Sequence, residues 1–296
     1  MAKVEGARAM NNARPEFVRE VGKTFGVIQK PLTLREKLYN SGALRKTVLL
    51  LLLALVWEFY ARAINDELLF PTFTSTLSAF FQSVADGKLP QRAWVSIRLL
   101  LQGYFIGLLL AGVFTACASV SRIGADLLET LTAMFNPLPA IALLPLALIW
   151  FGLGPASIIF ILVHSVLWAV ALNTHAGFQS VSQTLRMVGA NCGLSPLGQV
   201  VKILIPAAFP SILSGMKIAW AFAWRTLIAA ELVFGVTASS GGLGWFIYEN
   251  KNYLEIPSVF AGLFTVIVIG LIVENLIFRT IEINTVRKWG LQHSAS

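Results

Sequence analysis

Six apolar runs punctuate the chain, at about residues 47–64, 94–118, 128–151, 156–174, 211–235 and 257–281, with polar residues, glycine and proline returning between them. Each is long enough to cross a hydrocarbon core of about 30 Å at roughly 1.5 Å per residue. The pattern predicts an all-α polytopic membrane protein of about six transmembrane helices, with both ends of the chain on one side. The interval 65–93 is more polar, but Leu77, Phe80, Phe81 and Val84 recur there at i, i+3, i+4 and i+7. That spacing predicts a helix over 74–84 lying in the membrane interface. Ala61-Arg62-Ala63 has the small-residue look of a signal-peptidase site, yet the basic segment before it is far longer than a signal n-region, so a retained helix is expected.

Two features interrupt the runs. Asn136-Pro137-Leu138-Pro139 and Pro145 fall inside the third; prolines free backbone carbonyls, which then need a neighbouring helix or a water-lined cavity. The segment is either a kink against its neighbours or, with Asn136, part of a pathway lining. Gly103 and Gly107 form a GxxxG face in the second run, suited to close helix packing.

Composition agrees with lipid as the main solvent: 56% of residues are hydrophobic and 13% charged, against about 45–50% and 25% in soluble domains. The net charge of +8 raises nucleic acid as a partner, but its placement argues otherwise. Lys3, Arg8, Arg14, Arg19, Lys23, Lys30, Arg35, Lys37, Arg45 and Lys46 all precede the first run, the asymmetry that keeps a segment in the cytoplasm and favours anionic lipid headgroups. Arg279, Arg287 and Lys288 at the other end agree. The expected organisation is a basic cytoplasmic extension (1–45), a transmembrane domain (46–290) and a short cytoplasmic tail (291–296). Cys117 and Cys192 are far apart, and His164, His175 and His293 are scattered, so neither a disulfide framework nor a metal site is expected.

One connection is too long for a simple link. Residues 175–210 lie between the fourth and fifth runs, on the cytoplasmic side by alternation. Residues 183–192 read as a short helix, Gly193-Leu194-Ser195-Pro196 as a break, and 197–204 as a second helix stopped by Pro206. Leu197, Val200, Val201 and Leu204 recur at helical spacing, and apolar side chains presented to the cytoplasm need something to dock against.

Gly193, followed after nine residues by Ile203-Leu204-Ile205-Pro206, resembles the cytoplasmic coupling motif of bacterial ABC importer permeases, Glu-Ala-Ala, three residues, Gly, nine residues, Ile-x-Leu-Pro. Met187-Val188-Gly189 replaces the acidic opening triplet, and Ile205 stands where leucine is usual. Phe70-Pro71, 141–154, Asn173-Thr174, 206–215, Ala229-Ala230-Glu231 and Gly241-Gly242-Leu243-Gly244 are similar to the subgroup of permeases for nitrate, taurine, aliphatic sulfonates and bicarbonate. The resemblance runs from about Leu69 to Arg287. It implies a type I importer fold in a bacterial plasma (inner) membrane, with two permeases, here a homodimer, and two ABC ATPase subunits. A periplasmic or extracellular solute-binding protein would deliver a small anion, with sulfonate or taurine ahead of nitrate or bicarbonate. Met187, Gly189, Gly193, Leu197, Val200, Ile203 and Pro206 would form the ATPase contact. The chain has no GxxxxGK[ST] loop, so it is expected to be no enzyme and to bind no cofactor; ATP and Mg belong on the partner ATPase.

Ionisable residues within spans are functional candidates. Arg225 offers a guanidinium to an oxyanion, or else pairs with Glu231 or Glu274. Glu231 is either structural or part of an outer gate. Glu58 and Arg62 read as a local i, i+4 pair, Lys217 as a snorkelling lysine and His164 as a hydrogen-bonded packing residue. The same fold could pass a neutral or cationic nutrient such as a pyrimidine. An ion-gradient-driven transporter would need no docking loop and often shows inverted repeats, of which there is no sign. No span carries paired acids, a His cluster or a nucleophile–base pair, which argues against a membrane-embedded enzyme.

Overall fold

Hydrophobic length sets the frame of the computed structural model, which describes residues 41–234 and 241–289. Most of the expected basic extension and the expected tail, 291–296, lie outside the described residues. The helices are α1 (Gly42–Ile64), α2 (Phe73–Ala85), α3 (Lys88–Val120), α4 (Arg122–Phe135), α5 (Ala140–Phe151), α6 (Pro155–Ser180), α7 (Gln183–Asn191), α8 (Pro196–Ala207), α9 (Phe209–Phe234), α10 (Leu243–Asn252) and α11 (Ile256–Arg287). Among the described residues four helices are long and apolar enough to cross a membrane, and six spans result if the bent pairs α4–α5 and α8–α9 each count as one.

The chain divides into two units, Met1–Leu53 and Ala54–Ser296. Within the second, α6 is the central post, packing most extensively on α3 and α9. Small residues allow the close approach. A Cβ on Gly103 of α3 would sit 2.5 Å from that of Leu162, and one on Gly107 2.7 Å from that of Val166; the GxxxG face therefore seats α6. Gly177 against Ser211 and Gly215 against Asn173 do the same between α6 and α9. Leu100, Ile161, Leu162, Val166 and Leu227 fill the core with almost no exposure.

The third apolar run is not one helix. α4 and α5 meet at 88° across Asn136–Pro139. Pro137 and Pro139 lack amide hydrogens and so cannot continue the helical ladder; Asn136 still has helical dihedrals, φ −65° and ψ −36°, and the chain turns extended at Pro139, with φ −59° and ψ 122°. Likewise α8 does not stop at Pro206: it runs to Ala207 and turns by 76° into α9.

Aromatic packing fixes α2 to its neighbours. Trp57 packs against Phe70, Phe73 and Phe260, and its indole N–H donates to the Pro71 carbonyl at 2.9 Å. Glu58 pairs with Arg62 at 2.7 Å and also accepts the Thr74 N–H at 3.0 Å, capping the first turn of α2. Of the expected interfacial stripe, Phe80 packs on Phe264 of α11 while Phe81 and Val84 stay exposed. Lys217 Nζ meets Glu282 of α11 at 2.6 Å.

Candidate functional site

The 175–210 connection is built as a cap followed by a clamp. Ser182 caps α7 by accepting the Leu185 N–H. At the other end Gly193 adopts φ +72°, its N–H donating to the Ala190 carbonyl and that of Leu194 to the Gly189 carbonyl. This pair of bonds closes a helix through a left-handed residue, and glycine takes that conformation without a Cβ penalty. Chain reversal then lays α8 on α7. Gly189 is buried and its bare Cα receives the Ile203 Cδ1 methyl group, leaving no room for a side chain.

The expected apolar stripe on α8 divides into two faces. Val200 and Leu204 are buried against Phe178, Val181 and Ala208, so Val200 anchors the segment to the bundle. Leu197 and Met187 are 62% and 54% exposed, as are large parts of Leu185, Val188 and Val201. Both faces of the helix are apolar, and periodicity alone does not say which of them is buried. Pro206 is exposed at the far end.

A second candidate lies at the break in the third span. Asn136–Ile141 form one wall of a cavity of about 250 Å³, and His164, Ser165, Trp168, Phe222, Arg225 and Thr226 form the others. Arg225 is exposed; its Nε donates to the Ala221 carbonyl at 3.1 Å and its guanidinium sits 5.5 Å from the Phe222 ring centroid. Among the described residues it has no carboxylate at ion-pair distance, so the expected pairing with Glu231 or Glu274 is absent. Both ring nitrogens of His164 and the indole Nε1 of Trp168 are buried without a hydrogen-bond partner in the protein. His164 therefore packs edge-on against Phe135 and Trp168 but is not the hydrogen-bonded residue expected. Sequence reading singled out Asn136, Arg225 and His164 separately. It missed Trp168 and Thr226, which carry no signal until α6 and α9 come together.

Glu231 is elsewhere. It is 4% exposed and tied to two other elements: Ser96 Oγ of α3 lies 2.8 and 2.9 Å from its two carboxyl oxygens, and the Gly244 N–H donates to it at 2.8 Å. Ser96 in turn accepts the Leu243 N–H at 2.8 Å. The group satisfies the first amides of α10, which have no partner within the helix. Gly242 and Gly244 pack so tightly that a Cβ on Gly242 would strike Glu231 and Ser96, and one on Gly244 would lie 2.7 Å from the Ile228 carbonyl oxygen.

The chain is 28% identical over 228 residues to a putative ABC transporter permease protein of Methanocaldococcus jannaschii, covering 76% of this chain and 84% of that one. A taurine transport system permease protein of Escherichia coli is 28% identical over 193 residues (65% and 69%). A nitrate import permease protein of Synechocystis is 26% identical over 247 residues (81% and 88%). The family model described as binding-protein-dependent transport system inner membrane component matches residues 103–279, from the GxxxG face of α3 through the broken span, the α7–α8 clamp and most of α11. The chain belongs to this family of transport permeases.

Proposed function

We propose that the chain forms the translocation path of an ATP-driven importer for a small oxyanion, a sulfonate such as taurine ahead of nitrate or bicarbonate, delivered by a separate solute-binding protein. The carrying observation is the cavity at the α4–α5 break, where Arg225 lies beside Asn136, His164 and Trp168 with no carboxylate at ion-pair distance among the described residues. A guanidinium with free donor edges in a low-dielectric wall favours an oxyanion and disfavours a cation. The relatives that transport taurine and nitrate support the same substrate class.

The exposed apolar face of α7–α8 is the docking surface for the ATPase, which carries the ATP and Mg; Gly189, Gly193 and Ile203 hold its shape, while Val200 and Pro206 join it to the bundle. That face, the N-terminus and the C-terminus lie in the cytoplasm, a second copy supplies the other half of the path, and lipid surrounds the apolar helices.

Tagged protein purified from native membranes tests the docking. An ATPase recovered in a one-to-one ratio is expected, and Met187→Glu combined with Leu197→Glu should lower that recovery by roughly tenfold or more while leaving insertion intact, since each change forfeits about 1.5–3 kcal/mol of apolar burial at the contact. Unchanged recovery, or uptake running on an ion gradient in ATP-depleted vesicles, defeats this reading.

A further inference from the structure

α10 and the turn after it lie at the end of the bundle away from α7 and α8. Gly103 of α3 meets Leu162 of α6 and Gly107 meets Val166, so these two helices run parallel. Since α6 ends where α7 follows, the start of α3 belongs to the opposite end. There Arg92 donates to the Gly241 carbonyl at 2.9 Å and pairs with Glu249 at 3.1 Å. One turn along α3, Ser96 accepts the Leu243 N–H. α10 is therefore tied to α3 both at its start and near its end.

The turn that closes α10 carries an unexpected residue. The Leu254 N–H donates to the Lys251 carbonyl at 3.1 Å and the Glu255 N–H to the Asn250 carbonyl at 2.9 Å, with Leu254 at φ +61°. This is the closure that ends α7 at Gly193, but with leucine in the left-handed place that glycine takes freely. The side chain recovers little of that steric cost within the chain, because Leu254 is 64% exposed. Tyr253 beside it is 70% exposed. An apolar side chain held outward on a strained backbone points to a use beyond the chain's own packing.

The surroundings indicate what covers it. Tyr253 lines a cavity of about 310 Å³ together with Lys88, Gln91, Arg92, Glu249 and Glu255. Lys251 and Asn252 are exposed next to the turn. Charges at this density are costly against hydrocarbon. Exposed tyrosine and leucine beside an arginine-bearing polar rim have the make-up of a protein contact. The chain's family is one of binding-protein-dependent transport components, which supplies the partner. Resting on the reading of α7–α8 as the cytoplasmic ATPase face, we infer that the Tyr253–Leu254 turn and this cavity are the outer docking surface for the solute-binding protein. Tyr253 and Leu254 are its apolar anchors, and the charged cavity takes polar side chains of the partner. Because α10 is already tied to α3, the surface is formed before the partner arrives and little ordering opposes the contact.

The test measures the concentration of binding protein that half-saturates ATP hydrolysis by the permease with its ATPase in proteoliposomes. Leu254→Gly should raise that concentration about tenfold and leave the rate at saturation near the parent's. The thermal midpoint should not fall, because glycine suits the left-handed turn. Tyr253→Ala, at a second exposed position, should give a shift of the same order, and it decides alone should Leu254→Gly fail to assemble. If the binding protein stimulates the parent and both variants keep the parent's half-saturating concentration, the docking surface is wrong and the importer reading stands. A lowered midpoint with that concentration unchanged would make the turn a lipid anchor and also overturns the proposal. If the binding protein does not stimulate the parent complex, the importer reading fails and the docking surface falls with it.

Discussion

Arg225→Gln should abolish uptake of the anion while the protein still inserts and still recruits its ATPase. The side chain lines the cavity, is held among the described residues by the Ala221 carbonyl and the Phe222 ring, and has no described carboxylate partner whose charge would be stranded by its loss. Folding therefore loses little. The passing anion loses its one cationic contact in that chamber among the described residues, and removing one member of a desolvated charge pair costs about 2–4 kcal/mol, or roughly 30- to 1,000-fold in rate. Arg225→Lys should recover part of the loss, as a point charge lacking the planar fork. Uptake within twofold of the parent for Arg225→Gln, or equal losses for an anionic and a neutral substrate, would remove Arg225 from the path.

Glu231→Ala should act on folding. It strands the Ser96 hydroxyl and the Gly244 amide in a site that is 4% exposed. Each orphaned buried group costs about 1–3 kcal/mol, so the purified permease should show a clear fall in its thermal midpoint and in the yield of inserted protein. Ser96→Ala should produce a smaller loss, and the double variant should lose less than the sum, because the two side chains serve one network. Gly244→Ala should match Glu231→Ala, since its new methyl group meets the Ile228 carbonyl and Glu231 Cβ. An unchanged midpoint with selectively altered uptake would instead give Glu231 a gating role.

The sequence discloses these features unevenly, for physical reasons. Spans are legible because hydrophobic length is a local quantity. The Gly193 turn is legible because a left-handed residue closing a helix strongly favours glycine and the helices on either side are short and capped. Asn136-Pro137-Leu138-Pro139 announces an interruption, but the 88° angle depends on how α4 and α5 seat against α6, which no local pattern holds. The division of the α8 stripe is hidden because Val200, buried, and Leu197, exposed, are both apolar. Glu231 is least legible: Ser96 stands 135 positions away in the chain and Gly244 13. No helical period links such partners.

The close seating of Gly177 on Ser211 and of Gly215 on Asn173 has a mechanical consequence. α6 and α9 form a stiff double lever whose near end is joined to α7 and α8 and whose far part carries His164, Trp168, Arg225 and Thr226. From Pro210 to Arg225 is about 22 Å along the helix axis, so a swing of roughly 10° about the α7–α8 end moves the guanidinium by about 4 Å. Both of these walls travel together in that swing, and Phe135, stacked on Trp168, ties the end of α4 beside Asn136 to the same lever. A stroke at the α7–α8 end would then reach Arg225 as a displacement of the whole chamber, without any helix having to bend.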